Sequence, residues 1–335
     1  MSAQNVIIKE ETLRELIIKK MEGAGMPQAD AKIVADVLVY ADLRGIHSHG
    51  ALRVEHYTKR IKAGGMNLHP ALKVNRIKGS IALVDAEGGM GAVTMRYAME
   101  EAIKIARSEG VCIMGLKNNS HCGALAYYSN MAIQADMAAL VTVNTDSVVA
   151  PFGGKTKFLG TNPFSFGFPG VVQNILLDMS TSEVAFGKIF YAQEKNIPIP
   201  KGWAVDAEGN PCTDPHKAVS LYPFGGAKGY GINIMNEALT GLMIGGVFGP
   251  YLKLMYGDYE SYRDLSGFMM VIDPSVFGEG YKERTQQMID ELHAQEPAPG
   301  FDKVLIPGEL EHMKMEASKV DGIEIAKSIV DFLSA

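Results

Sequence analysis

Two histidine-bearing turns are the parts of this chain best suited to acid–base chemistry. The first contains His47, Ser48 and His49, and Arg53 follows in the next predicted helix. An imidazole changes protonation near neutral pH, and a guanidinium keeps its charge and pairs with carboxylates. The spacing therefore indicates a site that holds a carboxylate beside a proton acceptor. A shared zinc ion and a solvated helix N-terminus are the alternative interpretations, and the zinc site lacks an acidic or cysteine ligand at suitable spacing.

The second turn carries His121 between a predicted strand, residues 111–116, and a helix predicted from residue 124. Sheets covered by helices commonly present catalytic groups at strand ends, and an imidazole there can act as a base. A structural role is the alternative, with Asn119 or Ser120 capping the helix. We do not expect Cys122 to pair with His121 as a nucleophile, because adjacent side chains at a helix start rarely point at each other.

A third pattern is typical of a phosphate-bearing ligand. Residues 225–231 form a glycine-rich turn that opens a predicted helix and carries Lys228. Free backbone N–H groups and an ammonium together bind phosphate, although a flexible turn with a surface lysine is the alternative. Asp178 ends a predicted strand, where its carboxylate can receive ribose hydroxyls. A Rossmann fingerprint is not predicted, because Thr94 stands where the third glycine after Gly89 and Gly91 belongs.

The spacing of apolar residues predicts the helices and strands that position these side chains, and this spacing changes along the chain. Helical spacing dominates the first 65 residues, and short apolar runs then alternate with helices. This order predicts an α+β (α/β-like) fold in which helices cover a central mixed sheet. We expect residues 76–255 to form the sheet domain. Residues 1–75 together with 256–335 are expected to form a helical domain from both chain ends.

Composition narrows the functional classes. The 335 residues carry a net charge of -6, and no Lys/Arg-rich run is present, so a nucleic-acid partner is not expected. Three cysteines without CxxC spacing fit a reducing cytoplasm. The start of the chain lacks the pattern of a signal peptide, and the most apolar stretch, residues 238–252, is too short to span a bilayer. We therefore predict a cytoplasmic protein without a membrane partner.

Taken in order, these motifs resemble the malate/L-lactate dehydrogenase family, which also contains sulfolactate, ureidoglycolate and diketogulonate oxidoreductases. The resemblance extends over essentially the whole chain. Its motifs are GIHSHGALR at residues 45–53, NNSHCGALAYY at 118–128, GTNP at 160–163 and GAKGYG at 226–231, with further matches at 151–154 and 178–180. Within the family, residues 40–61 and 297–308 are most similar to the members that oxidise ureidoglycolate.

The resemblance implies a sulfolactate-dehydrogenase-like fold distinct from the Rossmann fold, and a homodimer to which residues 242–252 can contribute. It implies NAD as cofactor, with NADP possible, and a small 2-hydroxy acid as substrate. His121 is the implied proton acceptor, and some relatives suggest His49 instead. Ser48 and Arg53 are the implied substrate-binding residues, and no metal is implied. The implied cofactor contacts are Thr145, Asp178, Met179, Ser180, Lys228, Gly308, Glu309 and Leu310.

The leading functional expectation is the NAD-dependent oxidation of (S)-ureidoglycolate to oxalurate, a step in the recovery of nitrogen from purines and allantoin. Malate, L-lactate and sulfolactate are the alternative substrates for the same chemistry. A metal-dependent hydrolase or lyase that uses His47, His49 and His121 is a more distant hypothesis, and it predicts a bound divalent metal. A binding protein without catalysis would tolerate the loss of His121.

Overall fold

The computed structural model describes residues 5–335, and a seven-stranded mixed sheet lies at its centre. The strands are β1 (Asn5–Ile8), β2 (Val74–Lys78), β3 (Ile81–Asp85), β4 (Val111–Asn119), β5 (Ala138–Val143), β6 (Phe164–Phe168), β7 (Ile175–Met179), β8 (Ala204–Val205), β9 (Pro211–Cys212), β10 (Ser220–Leu221), β11 (Leu265–Ile272) and β12 (Ile323–Ala326). The helices are α1 (Glu10–Gly23), α2 (Gln28–Leu43), α3 (Arg53–Lys62), α4 (Gly91–Glu109), α5 (Ala126–Gln134), α6 (Phe186–Lys195), α7 (Ala227–Glu237), α8 (Tyr281–His293), α9 (Glu309–Asp321) and α10 (Lys327–Ser334). The α+β prediction is therefore confirmed.

The central sheet has the strand order β2-β3-β4-β11-β5-β6-β7. Strands β3 and β4 are parallel, and α4 provides the crossover between them, whereas the other neighbouring strands are antiparallel. Helices α4 and α5 pack on the sheet through fully buried side chains such as Met95, Met99 and Met114. Each such side chain contributes about 1.5–3 kcal/mol by leaving water. This core gives β4 and β7 the rigidity to hold site residues at their ends.

A helical layer built on α1, α2 and α3 packs beside the sheet and also contains α10. Leu13, Ile17 and Met21 recur at helical spacing on α1 and are fully buried. Strand β1 pairs with β12, with Ile8 opposite Ile323, so the two chain ends meet in this layer. The pairing was not predicted, because each strand has only four residues and depends on a partner more than 300 positions away.

The position of β11 differs from the sequence-based division of the chain at residue 255. The strand lies between β4 and β5, although its residues fall in the range 256–335 that was assigned to the helical domain. Six of its eight residues are buried, as expected for a central strand covered on both faces. The chain thus returns to the sheet after residue 255, and β2 already begins at Val74, just before the other predicted boundary.

A smaller unit, made of α6 and the three-stranded sheet β10-β8-β9, has its own core with Val149, Ile189 and Leu221. Strands β8 and β9 pair as an antiparallel hairpin, with Ala204 opposite Cys212. Within residues 5–335, no helix has both the length and the apolar character that crossing a membrane requires.

Candidate active site

A cavity of about 460 Å³ lies where the end of α2, the start of α5, the end of β7 and the loop before α9 meet. Seven of the twelve predicted site residues line it: Ser48, His49, Asp178, Met179, Ser180, Gly308 and Leu310. The other five, Arg53, His121, Thr145, Lys228 and Glu309, are not part of this lining. The structure therefore brings together segments that are up to 260 residues apart in the chain.

A buried carboxylate fixes the first histidine turn. Asp42, on α2, accepts hydrogen bonds from the backbone N–H of Ala51 at 2.7 Å and from His47 Nδ1 at 2.9 Å. Burial raises the pKa of Asp42, and the bond to His47 opposes that shift. A Cβ atom at Gly50 would lie 2.1 Å from an Asp42 carboxylate oxygen, so this close approach requires glycine. His47 thus has a structural partner, and His49 is left to face the cavity.

The rings of His49 and His121 stack on each other, with centroids 5.6 Å apart and an interplanar angle of 20°. Ser48 Oγ lies 2.9 Å from His49 Nδ1 and orients that ring. Burial, reinforced by the charge of Arg53, lowers the pKa of His49 to about 4 and that of His121 well below its usual 6.5. Both rings are therefore neutral at physiological pH, the form in which an imidazole can accept a proton.

Tyr57, on α3, holds the ring of His121 from behind. Its Oη lies 2.6 Å from His121 Nδ1, and the Gly123 backbone nitrogen lies 3.4 Å from the same ring nitrogen. The Tyr57 side chain is almost fully buried, which raises the pKa of its hydroxyl and keeps it protonated. Sequence reasoning missed Tyr57, although it stands four positions after Arg53 and so shares its helix face.

Arg53 is held between the histidine turn and a distant loop. Its Nε donates to the Ser48 carbonyl at 2.6 Å, and its Nη1 donates to Tyr256 Oη at 2.6 Å. Within the described chain, the Nη2 atom has no acceptor and is available to an anion. The loop that carries Tyr256 is fixed by the buried Arg60, which donates to the carbonyls of Met255, Asp258 and Ser261.

The other side of the cavity presents Asp178 at the end of β7. Its carboxylate accepts the Ala126 backbone N–H at 2.7 Å, at the start of α5. Desolvation within the cavity wall raises the pKa of Asp178 to about 6, against the effects of that bond and of nearby Arg44. Thr145 lies behind this wall and accepts the Thr161 backbone N–H at 2.9 Å, and Thr161 in turn lines the cavity.

Lys228 and Glu309 occupy positions other than the cavity wall. Lys228 is exposed in the first turn of α7. Shortly before that helix, the Phe224 backbone N–H donates to the Thr181 carbonyl at 3.0 Å, and Thr181 directly follows the cavity-lining Ser180. The Glu309 carboxylate accepts from His293 Nε2 at 2.8 Å and from the Ile306 backbone N–H at 3.1 Å. Glu309 therefore acts on the cavity by holding the loop that precedes it, while its neighbours Gly308 and Leu310 form the wall.

Arg44, which the sequence analysis did not single out, also lines the cavity. Its side chain lies over the ring of Tyr40, with Cζ 5.3 Å from the ring centroid. Arg44 and Asp178 thus place a cation and a carboxylate on the same concave surface. Across residues 5–335, no group of three or more His, Cys, Asp and Glu side chains is arranged to hold a metal ion.

The comparisons with known proteins agree with this arrangement. The model of the malate/L-lactate dehydrogenase family matches residues 8–334. A ureidoglycolate dehydrogenase (NAD(+)) from Escherichia coli is 40% identical over 329 residues, which cover 97% of this chain and 94% of that protein. The solved sulfolactate dehydrogenase from Methanocaldococcus jannaschii has a TM-score of 0.91 at 40% identity, with 98% of this chain and 95% of that chain covered.

A second solved structure, a malate dehydrogenase from Pyrococcus horikoshii, has a TM-score of 0.89 at 35% identity and covers 98% of this chain and 94% of that chain. The same fold and the same order of segments thus recur in these proteins along almost their full lengths. The chain belongs to the malate/L-lactate dehydrogenase family.

Proposed function

We propose that the protein oxidises (S)-ureidoglycolate to oxalurate with NAD as the hydride acceptor. The observation that carries the proposal is the stacked pair of His49 and His121 next to Arg53, at the edge of a cavity whose far wall carries Asp178. The choice of substrate is supported by the 40% identity to a ureidoglycolate dehydrogenase over 97% of the chain. The resemblance of residues 40–61 and 297–308 to the members that oxidise ureidoglycolate points the same way.

The cavity fits a dinucleotide cofactor in the chemistry of its donors. Asp178 offers carboxylate oxygens to ribose hydroxyls, and apolar side chains such as Leu177 and Ile306 line the same cavity. Gly308, at a φ of +87°, lets the loop before α9 pass close to β7, because a Cβ there would lie 2.4 Å from the Leu176 carbonyl oxygen. When bound, the nicotinamide accepts the hydride from C2 of the substrate.

Side chains of the protein bind the substrate, accept its proton and orient the histidine rings. Arg53 Nη2 pairs with the substrate carboxylate, and its bonds to Ser48 and Tyr256 keep the guanidinium in place. His121 accepts the hydroxyl proton through Nε2, in the tautomer whose Nδ1–H donates to the Tyr57 hydroxyl. The 2-hydroxy acid thereby loses one hydride and one proton and becomes the 2-oxo acid. Ser48 orients His49 at the cavity wall.

His49 is the alternative proton acceptor. It lines the cavity directly, whereas His121 lies against its ring. The two rings are close enough that the hydroxyl of one bound substrate can approach either of them. Replacing each histidine separately distinguishes the two assignments, as described in the Discussion.

The function is tested by initial rates of nicotinamide reduction. Purified protein is assayed with ureidoglycolate, malate, L-lactate and sulfolactate, each with NAD and with NADP. We expect the highest kcat/KM for ureidoglycolate with NAD. A clear preference for malate or sulfolactate, the substrates named for relatives of 37% and 39% identity, would replace the substrate and keep the mechanism. Absence of activity with every pair would contradict the proposal.

We also propose that two copies of the chain form a homodimer. Leu242 and Met243 expose more than half of their side-chain surface, 56% and 58%, in the region that the family resemblance indicated. Large exposed apolar side chains are typical of subunit interfaces. Light scattering coupled to size exclusion tests this. We expect twice the mass of 36.2 kDa for the natural protein and a shift toward the monomer for Met243→Glu.

A further inference from the structure

Arg44 is a buried cation that has no ion-pair or hydrogen-bond partner for its guanidinium among residues 5–335. Only 5% of its surface is exposed, and that surface faces the cavity. Among residues 5–335, no carboxylate or carbonyl accepts a hydrogen bond from its guanidinium, and its closest defined contact is the ring of Tyr40. A charge that leaves water without gaining hydrogen bonds is costly, so such a group is expected to meet an anion when the cavity is filled.

The surroundings of Arg44 show which anion fits. Arg53 lies close enough to His121 for its charge to lower the pKa of that ring. In a 2-hydroxy acid the carboxylate is bonded to the carbon that carries the hydroxyl. The cation that binds it must therefore lie close to the imidazoles, where Arg53 is. Arg53 is therefore the expected partner of the substrate carboxylate, and Arg44 is left for a second anion.

Arg44 instead lies close enough to Asp178 for its charge to oppose the rise in the pKa of that carboxyl, yet the two residues form no ion pair in the described chain. A ligand that presents hydroxyls to Asp178 and an anionic group to Arg44 satisfies both. A nucleotide has this chemistry, because its ribose hydroxyls and its phosphate belong to one rigid unit. Lys228, the cation predicted to bind phosphate, is exposed and outside the cavity lining, so Arg44 is the arginine or lysine in that lining.

We propose that Arg44 binds a phosphate group of the dinucleotide, an inference that rests on the proposed function. The pyrophosphate and a ribose 2′-phosphate are the two sources of this chemistry in nicotinamide cofactors. The carboxylates of Asp178 and Glu311 share the cavity wall with Arg44 and repel an additional 2′-phosphate. The pyrophosphate, present in both NAD and NADP, is therefore the expected partner.

The test measures binding and needs no turnover. Dissociation constants for NAD, NADP and ADP-ribose are determined by titration calorimetry for the natural protein and for Arg44→Gln. We expect about 10- to 100-fold weaker binding of all three ligands, the loss typical of a hydrogen-bonded charge pair. Arg76→Gln is the matched control, because Arg76 lies on β2, at the opposite edge of the sheet from Asp178. We expect this variant to bind all three nucleotides as the natural protein does.

Measurements of Tm show whether a loss of binding in a variant is caused by a loss of folding. Without ligand, Arg44→Gln should have the Tm of the natural protein or a higher one, because a buried charge without a partner is removed. The rise in Tm on adding NAD should shrink. Arg44→Lys keeps the charge but loses the bidentate hydrogen-bonding geometry of the guanidinium, so we expect an intermediate affinity for the nucleotides. This variant is used in place of Arg44→Gln if the latter does not fold.

Equal losses for NAD and NADP support the pyrophosphate as the partner, and a loss confined to NADP supports the 2′-phosphate. Unchanged affinity for all three nucleotides, or a change seen only in the KM of the hydroxy acid, would overturn the proposal. If the natural protein binds none of the nucleotides, the proposed function itself fails, and that outcome is recognised before any variant is compared.

Discussion

The hydroxyl of Tyr57 and Nδ1 of His121 are 2.6 Å apart, in a part of the site that is closed to water on the tyrosine side. A neutral ring that can accept a proton at Nε2 carries its hydrogen on Nδ1 and donates it to the Tyr57 hydroxyl, and the protonated ring donates the same hydrogen. Tyr57 therefore has a hydrogen bond with His121 in both protonation states. The nitrogen left for exchange with a substrate is Nε2.

The first prediction concerns Tyr57→Phe. The protonated ring loses the acceptor of its Nδ1–H, and hydrogen bonds of charged groups are stronger than neutral ones, so the pKa of His121 should fall further. We expect about a tenfold loss of kcat, equivalent to about one hydrogen bond, and an acid limb of kcat/KM at lower pH. Tyr281→Phe, which removes a hydroxyl bonded to the Asp136 carbonyl, is the control. Identical pH profiles for both variants would remove Tyr57 from the mechanism.

The second prediction separates His121 from His49. If His121 accepts the proton, His121→Ala should lower kcat by about 100- to 10,000-fold, the usual contribution of a general base. His49→Ala should have a smaller effect, since it removes the stacked neighbour and the bond to Ser48. Single-turnover rates under saturating cofactor provide the comparison. The reverse order of the two losses would assign the proton transfer to His49.

The site residues that sequence reasoning identified are those with unusual chemistry at element boundaries, such as His49, His121 and Asp178. Tyr57 and Arg44 were missed because their types are common in helices, and their roles depend on what faces them across the fold. The central position of β11 was missed for the same reason. Its apolar run predicts a buried strand. The sequence does not show that β4 and β5 are its neighbours, because both strands lie more than 100 residues away in the chain.

The third prediction concerns stability against pH. Unfolded imidazoles bind protons near pH 6.5, whereas the pKa of His49 in the folded chain is about 4. Between these values the unfolded state binds more protons, so the free energy of unfolding should fall as pH decreases from about 6.5 to about 4. At pH 5 we expect His49 to contribute about 1–2 kcal/mol of this loss. Urea unfolding at pH 7 and pH 5 measures it.

The control for that experiment is His49→Gln, which does not titrate. Its free energy of unfolding should depend less on pH in this interval than that of the natural protein. The titration of His47 has the opposite effect on the free energy of unfolding. The bond to Asp42 raises the pKa of His47, so its stabilisation is complete below pH 6.5 and is lost as pH rises through the higher folded value. Equal slopes for His49→Gln and the natural protein would contradict the assigned pKa of His49.

The fourth prediction is that Arg53→Lys chiefly raises KM for the hydroxy acid. A lysine keeps the charge, but it cannot at once hold the Ser48 carbonyl, the Tyr256 hydroxyl and a carboxylate in the arginine geometry. We expect KM to rise about 10- to 100-fold, the range for a lost charge-assisted hydrogen bond, with a smaller change in kcat. A fall in kcat at unchanged KM would show that Arg53 acts only in the transition state.

The fifth prediction concerns Gly50, which lies against the Asp42 carboxylate. A Cβ atom in Gly50→Ala would come within 2.1 Å of an Asp42 oxygen, so either the carboxylate or the histidine turn must move. We expect a loss of about 1–3 kcal/mol in the free energy of unfolding, as for an overpacked buried site, together with reduced activity because Ser48 and His49 are displaced. Gly23→Ala, at the end of α1 with open space around the added carbon, should be neutral or slightly stabilising. Urea unfolding and initial rates of both variants provide the measurement, and equal stabilities would show that the turn accommodates the methyl group without moving Asp42.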